Sequence, residues 1–162
     1  MAAKDWPLCV LNIEDPDELI AAYRKIYLDE YVRAEVRDWD GRRVLFRAMN
    51  FNHAFSESSD YRLAAGIHDV EFSLLRAQRI YWIKLALVAQ DVRIEVLAQQ
   101  RRDDRGRMRR RRTLVVLENR YVVVLEPCST EGFEFQFITA FVADKSYMDR
   151  IRRGAAVVER RG

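Results

Sequence analysis

The 162-residue chain lacks a long apolar run. Its longest apolar stretch, residues 80–89, is interrupted by Lys84 and is far too short to cross a bilayer. Residues 1–4 lead directly into Asp5, without the apolar segment of a secretion signal. We therefore expect a cytoplasmic protein that does not enter a membrane.

Cysteine and histidine are scarce, with two of each. Cys9 and Cys128 have neither metal-ligand nor redox spacing. Two isolated thiols are favoured, and a single disulfide between them is the alternative. No histidine, cysteine and carboxylate cluster has metal-site spacing. The chain also lacks the common nucleotide, dinucleotide, zinc-protease and serine-hydrolase motifs. We expect neither a metal nor a cofactor.

Positive charge is concentrated in one segment. The net charge is +3, from 28 basic and 25 acidic residues. Residues 101–112 hold eight arginines and two aspartates, so this segment carries +6 and the remainder carries −3. The planar fork of arginine suits phosphate, which favours a phosphate-bearing partner over a merely solvated hairpin loop. The arginines are Arg101, Arg102, Arg105, Arg107, Arg109, Arg110, Arg111 and Arg112.

Two helices are predicted in the first half of the chain. Asp15 followed by proline and acidic residues is a helix start, and apolar spacing extends this helix to about Val36. A short strand is predicted over 44–47, and residues 49–66 have the composition of a loop. A long helix over about 69–89 is apolar enough to pack across a sheet.

The second half has the pattern of a sheet. Four segments predict strands, over 93–98, 113–117, 121–125 and 133–142. The arginine segment would connect the first two, and short turns join the others as an antiparallel meander. Residues 145–153 predict a short helix, and the end from Gly154 is expected to be loose. The prediction is one α+β domain over 1–162, with a core over about 15–144 and a four-stranded antiparallel sheet.

A few side chains are candidates for chemistry. Histidine is the natural general acid or base near neutral pH, and His53 lies in the polar loop, whereas His68 precedes the second helix. Arg76 and Arg79, three residues apart, share a helix face beside apolar residues. Thr139 places a hydroxyl within an apolar strand, which sheet propensity alone also explains.

Four short motifs occur in a recognisable order. They are NHAF at 52–55, RAQRIYWI at 76–83, RYVVV at 120–124 and TAF at 139–141. Together they resemble the phage-associated nuclease domains grouped with barnase, EndoU, certain colicins and RelE, known as the BECR fold. The resemblance covers roughly residues 44–144. It implies an α+β fold with helices packed on a four-stranded antiparallel sheet.

The resemblance also implies an activity. Better-known members of the family cleave RNA without a metal: the 2′-hydroxyl attacks the adjacent phosphate and leaves a cyclic phosphate. His53 would then be the general base or acid, and Arg79 or Arg120 would neutralise the phosphate oxygens. Thr139 would bond the phosphate or orient a catalytic group. Arg76 and the arginines of 101–112 would bind the RNA backbone.

Three functional hypotheses follow. The first is a metal-independent endoribonuclease, a toxin or phage-derived effector, which would be accompanied by an inhibitor or antitoxin protein. The second is a non-catalytic nucleic-acid-binding protein that uses residues 101–112. The third is a protein-interaction module, in which these arginines meet an acidic partner and a strand edge pairs with another chain.

Overall fold

The first helix begins where the sequence predicts it. In a computed structural model, which describes residues 6–57, 71–102 and 105–162, α1 spans Pro16–Tyr27. The Glu18 backbone N–H donates to the Asp15 carboxylate at 2.9 Å, and proline fills the first helical position. The α-helix then passes into a π-helical turn at Leu28–Val32, so its regular part ends before the predicted boundary.

The predicted long helix over 69–89 is wrong within the described residues. Two short helices replace it, α3 at Leu74–Ala77 and α4 at Trp82–Val88. The Tyr31 hydroxyl donates to the Ile80 carbonyl in the interruption. That carbonyl therefore has a tertiary partner in place of a helical one. The first two residues of the prediction lie outside the described part of the chain.

Part of the predicted loop over 49–66 is helical. A single helical turn, α2, spans Asn50–Ala54 and includes His53. The Asn50 side-chain amide donates to the Phe137 carbonyl in the sheet, which anchors this turn. Residues 58–66 lie outside the described part of the chain.

The sheet is mixed and has six strands. In chain order they are β1 (Val44–Leu45), β2 (Ile94–Arg102), β3 (Met108–Val116), β4 (Tyr121–Pro127), β5 (Phe135–Val142) and β6 (Ala155–Arg161), and the order across the sheet is β1-β5-β4-β3-β2-β6. The meander from β2 to β5 is antiparallel, as predicted. The predicted count of four is too low, because β1 adds a parallel edge on β5 and β6 an antiparallel edge on β2.

The prediction of a loose end is therefore also wrong. After helix α5 (Lys145–Arg153), residues Ala155–Arg161 pair with β2 as β6. The Trp39 indole donates to Glu159 of β6 at 2.9 Å, and its ring contacts the guanidinium of Arg161 at 5.2 Å. These contacts join the last strand to the loop before β1.

The arginine segment is mostly strand rather than connection. β2 continues through Arg102 and β3 begins at Met108, so only a short turn separates them. Because side chains alternate across a strand, consecutive arginines of β3 lie on opposite sides of the sheet. The segment is thus two arginine rows and not one continuous cluster.

The two faces of the sheet are covered differently. We call the inner face the one that packs against the N-terminal helices; its sheet residues include Ile94, Val96, Leu114, Val116, Tyr121, Val123, Leu125 and Phe137. Helix α5 covers only part of the outer face. The covered part, here the apolar half, consists of Leu97, Val115, Val122, Val124, Phe141 and Ala143, packed with Met148 and Ile151 of α5.

We call the rest of the outer face the polar half. Strand register and the contacts between neighbouring strands assign six residues to it: Gln99, Arg111, Thr113, Glu126, Gln136 and Thr139.

Two other findings bear on the sequence predictions. Both cysteines are free thiols. Among the described residues, no helix has the length and apolar character needed to cross a membrane.

Candidate active site

His53 is held at the edge of the sheet beside the polar half. It lies in α2, which packs along β5. The short strand β1 pairs with β5 only at residues 135 and 136, so beyond them no strand in the described part of the chain covers this edge of β5. Burial of Phe51 and Ala54 on the same helical turn fixes the turn against the core. The imidazole itself is half-buried. The helix therefore presents a titratable group at the border of the outer face.

Two arginines act electrostatically on His53. Burial lowers the pKa of the imidazole from its ordinary value, and the positive charges of Arg76 and Arg111 lower it further. A lowered pKa keeps the ring neutral at neutral pH. A neutral imidazole accepts a proton, which is the state that a general base requires.

Arg76 is held at this site by two neighbours. Its guanidinium lies 3.4 Å from the Ala54 carbonyl, the residue after His53, and 4.8 Å from the centroid of the Phe141 ring. Phe141 in turn makes an edge-to-face contact with Tyr147 of α5, at 5.0 Å between centroids. Burial lowers the pKa of Arg76, but the group stays cationic at any ordinary pH.

Arg111 projects from β3 onto the same face. Its Nε lies 3.4 Å from the Glu126 carboxylate of β4, and the Glu126 side chain is only 11% exposed. The acid holds the guanidinium against the sheet while part of the arginine faces solvent. One buried acid thus orients a cation next to His53.

Thr139 supplies a hydroxyl on the polar half. A bulge in β5 sets Val124 opposite Thr139 and Leu125 opposite Phe137, so one residue of β5 is left over between them. The Thr139 hydroxyl is buried, and the described residues give it no hydrogen-bond partner. Such a group without a hydrogen-bond partner is uncommon in a folded protein.

Other polar side chains complete the surface around these groups. Thr113 and Gln99 are within hydrogen-bonding distance at 3.3 Å, and the Gln99 amide donates to the Ile151 carbonyl at the end of α5. Arg47, just after β1, donates to Gln136. Hydrogen bonds between neighbouring elements therefore hold the polar side chains of this half in place.

Some residues predicted for the site lie elsewhere. Arg79 packs on the inner side: its guanidinium lies 5.0 Å from the Trp82 ring and donates to the Leu75 carbonyl at 2.8 Å. Arg120 is exposed in the turn before β4, four residues from the position opposite Thr139 and so about 13 Å along the strand. The structure does not bring it near His53. His68 lies outside the described residues.

The sequence interpretation missed three side chains here, Glu126, Arg47 and Gln136. Glu126 did leave a signal, because an acid directly after the buried run of residues 121–125 needs a cationic partner. Arg47 and Gln136 meet only through the parallel pairing of β1 with β5, which no local pattern reveals.

The arrangement suits phosphate rather than a metal ion. Arg76 and Arg111 act on a histidine whose pKa is lowered, and within the described ranges no group of three or more histidine, cysteine or carboxylate side chains could hold a metal. Compared with family models, with curated proteins and with solved structures, the chain matches none of them.

Proposed function

We propose that this protein is a metal-independent endoribonuclease whose active centre is the polar half of the outer face. The observation that carries the proposal is the half-buried His53 imidazole, whose pKa is lowered by burial and by Arg76 and Arg111, on a helical turn that packs against the strand of Thr139. A surface of this kind binds a phosphodiester and offers it a base. The order of short motifs in the sequence points to the same chemistry.

His53 acts as the general base in this proposal. Its neutral ring takes the proton of the ribose 2′-hydroxyl, and the 2′ oxygen forms a bond to the adjacent phosphorus. The bond from phosphorus to the 5′ oxygen breaks, and that oxygen leaves with a proton from solvent. The products are a 2′,3′-cyclic phosphate and a 5′-hydroxyl end.

Arg76 and Arg111 stabilise the charge that develops on the phosphate oxygens. Fixed cations aimed at a developing oxyanion stabilise a transition state without reorganising. Glu126 positions Arg111 through their ion pair, and the Phe141 ring packs against the guanidinium of Arg76. The Thr139 hydroxyl, which is buried in the free protein, turns toward a phosphate oxygen when RNA binds and donates a hydrogen bond to it. Arg79 and Arg120 have no role at the reacting phosphate in this scheme.

The direct test is cleavage of labelled RNA in the presence of EDTA. We expect His53→Ala to slow cleavage about 10²–10⁴-fold, the usual contribution of general acid–base catalysis. Asn52→Ala is the matched control, because Asn52 is exposed on the same helical turn and accepts a hydrogen bond from Arg24. It should cleave like the wild type.

Three outcomes would change the conclusion. Cleavage that EDTA abolishes, or that survives His53→Ala within severalfold, would overturn the proposed chemistry. RNA that is retained in a salt-sensitive way but never cut would instead assign the protein to non-catalytic nucleic-acid binding.

A further inference from the structure

The arginine-bearing hairpin projects beyond the sheet. β2 pairs with β6 only as far as Gln99, and β3 pairs with β4 only as far as Arg112. Past these residues, in the described part of the chain, β2 and β3 pair with each other alone, through Gln100↔Arg110 to Arg102↔Met108. Three residue pairs extend about 10 Å, so the ribbon formed by residues 100–102 and 105–110 stands out as an arm.

The ribbon has no apolar face. Its described side chains are mainly exposed arginines, and its one large apolar side chain among them, Met108, is 52% exposed. A two-stranded ribbon without a packed face is marginal by itself. It is therefore unsuited to packing against the body of a protein and is suited to a polar partner.

The arginines lie on both sides of the ribbon. Arg102 and Arg110 share the side that continues the inner face, since their register follows that of Leu114 and Val96. Arg109 lies on the opposite side, in line with Arg111 of the polar half. A flat partner would meet one side only. A groove between two rows of phosphates meets both.

We propose that the described part of this ribbon, residues 100–102 and 105–110, inserts into the minor groove of a helical RNA stem. The minor groove of A-form RNA is wide and shallow and displays 2′-hydroxyls, so a ribbon can lie in it while its arginines pair with the phosphates on both sides. Arg109 and Arg111 are two residues apart on one side of β3, about 7 Å. A stem bound by the ribbon would therefore lie next to the polar half, and in this proposal an adjoining single-stranded segment reaches the polar half.

This inference rests on the proposed function for its choice of RNA, and it narrows the substrate to a stem next to an unpaired segment. Binding is measured in the His53→Ala background, which keeps the RNA intact. The probes are an RNA hairpin with a stem of about ten base pairs and an unstructured RNA of equal length. The ribbon should bind the hairpin at least about tenfold more tightly.

Two variants test the two sides of the ribbon. Arg102→Gln with Arg110→Gln removes cations from one side, and Arg107→Gln with Arg109→Gln removes them from the tip and the other side. Each pair should lower affinity for the hairpin roughly tenfold or more at about 0.1 M salt and reduce the salt slope by about two. Lys145→Gln with Arg153→Gln, the same charge change on exposed positions of α5, should do neither.

Melting temperatures establish that each variant is folded, and Arg102→Lys with Arg110→Lys retains the charge if the glutamine pair is unstable. Loss of hairpin affinity from one side only, or equal losses for both RNAs, would overturn groove insertion in favour of a flat contact. Because binding is scored without cleavage, that failure is separate from a failure of the nuclease proposal. A wild type that cuts RNA in EDTA but does not prefer the hairpin would contradict the ribbon inference alone.

Discussion

The two halves of the outer face lie on the same β-strands but differ in the side chains that they carry and in whether a helix covers them. Under α5, the apolar half packs Met148 and Ile151 against Val115 and Val122 and excludes water. Beside it, the polar half places Arg111 over Glu126 and leaves the Thr139 hydroxyl without a partner among the described residues. The apolar half contributes stability, and the polar half holds groups that are unfavourable to bury unless something binds them.

The boundary between the halves runs along one row of the sheet. Leu97, Thr113, Val124 and Thr139 are successive neighbours across four strands. Along this row apolar and hydroxyl side chains alternate. The last turn of α5 lies at this border, where the Gln99 amide donates a hydrogen bond to the Ile151 carbonyl. A short helix is thus enough to divide one sheet face into a core and a site.

The largest expected effect concerns the apolar half. Met148→Ala removes a buried side chain from beneath α5 and should lower the free energy of unfolding by about 2–5 kcal/mol. Urea or thermal unfolding measures this loss. Val158→Ala, at a 55% exposed position, is the control and should change stability by less than about 0.5 kcal/mol. A loss below about 1 kcal/mol for Met148→Ala would mean that α5 does not seal this half.

A smaller effect is expected from Arg111→Gln in the polar half. The substitution leaves the Glu126 carboxylate buried without its cation and should lower stability by about 1–3 kcal/mol. It also removes a positive charge that lowers the pKa of His53, so that pKa should rise, which NMR titration of the imidazole would show. Adding Glu126→Gln should recover part of the stability. If the double variant is less stable than the single one, the pair does not act as described.

Thr139→Val should slow RNA cleavage without lowering the free energy of unfolding. Valine keeps the shape and removes a buried hydroxyl that lacks a partner, so stability should stay the same or rise by about 1 kcal/mol. Cleavage should nevertheless fall about tenfold, because the phosphate loses one charge-assisted hydrogen bond. Unfolding curves and cleavage rates are measured on the same preparation. Destabilisation beyond about 1 kcal/mol would show that the hydroxyl has a structural partner.

The smallest effect is a pH dependence from His53. Its folded pKa lies below the unfolded value of about 6.5, so the unfolded chain binds more protons in the interval between the two. Stability should therefore rise with pH through that interval and fall as acid protonates the imidazole. Melting temperatures from pH 5 to 8 measure the slope. In His53→Gln the slope should flatten, whatever His68 contributes, and an unchanged slope would contradict burial of the neutral ring.

Local signals predicted the parts of the fold that depend on neighbouring residues. Asp15 caps α1, the meander strands alternate, and α5 spans the predicted range. Tertiary contacts decided the rest. Tyr31 reaches the carbonyl at the break between α3 and α4, and β6 forms because β2 offers it a free edge.

The candidate site was predicted in part for the same reason. His53 and Thr139 stood out by residue type, and the structure sets them on adjoining elements. Strand register and the alternation of side chains along β3 decide which arginines lie beside them. Arg111 lies on the outer face, and Arg112 packs against Trp39 on the inner face. No spacing in the sequence distinguishes these two neighbours.

The parallel strand β1 has a consequence for how the protein is made. Its only pairing in the described chain is with β5, whose residues follow it by about ninety positions. His53 lies in the early half of the chain, and Arg111 and Thr139 lie in the late half. During translation, the N-terminal helices are therefore synthesised before the strands of the sheet that they pack against. Until those strands follow, the nascent chain exposes the apolar surface of these helices. The residues of the proposed active site cannot meet until position 139 has been synthesised, so the ribosome that makes this chain is not exposed to a complete site before that point.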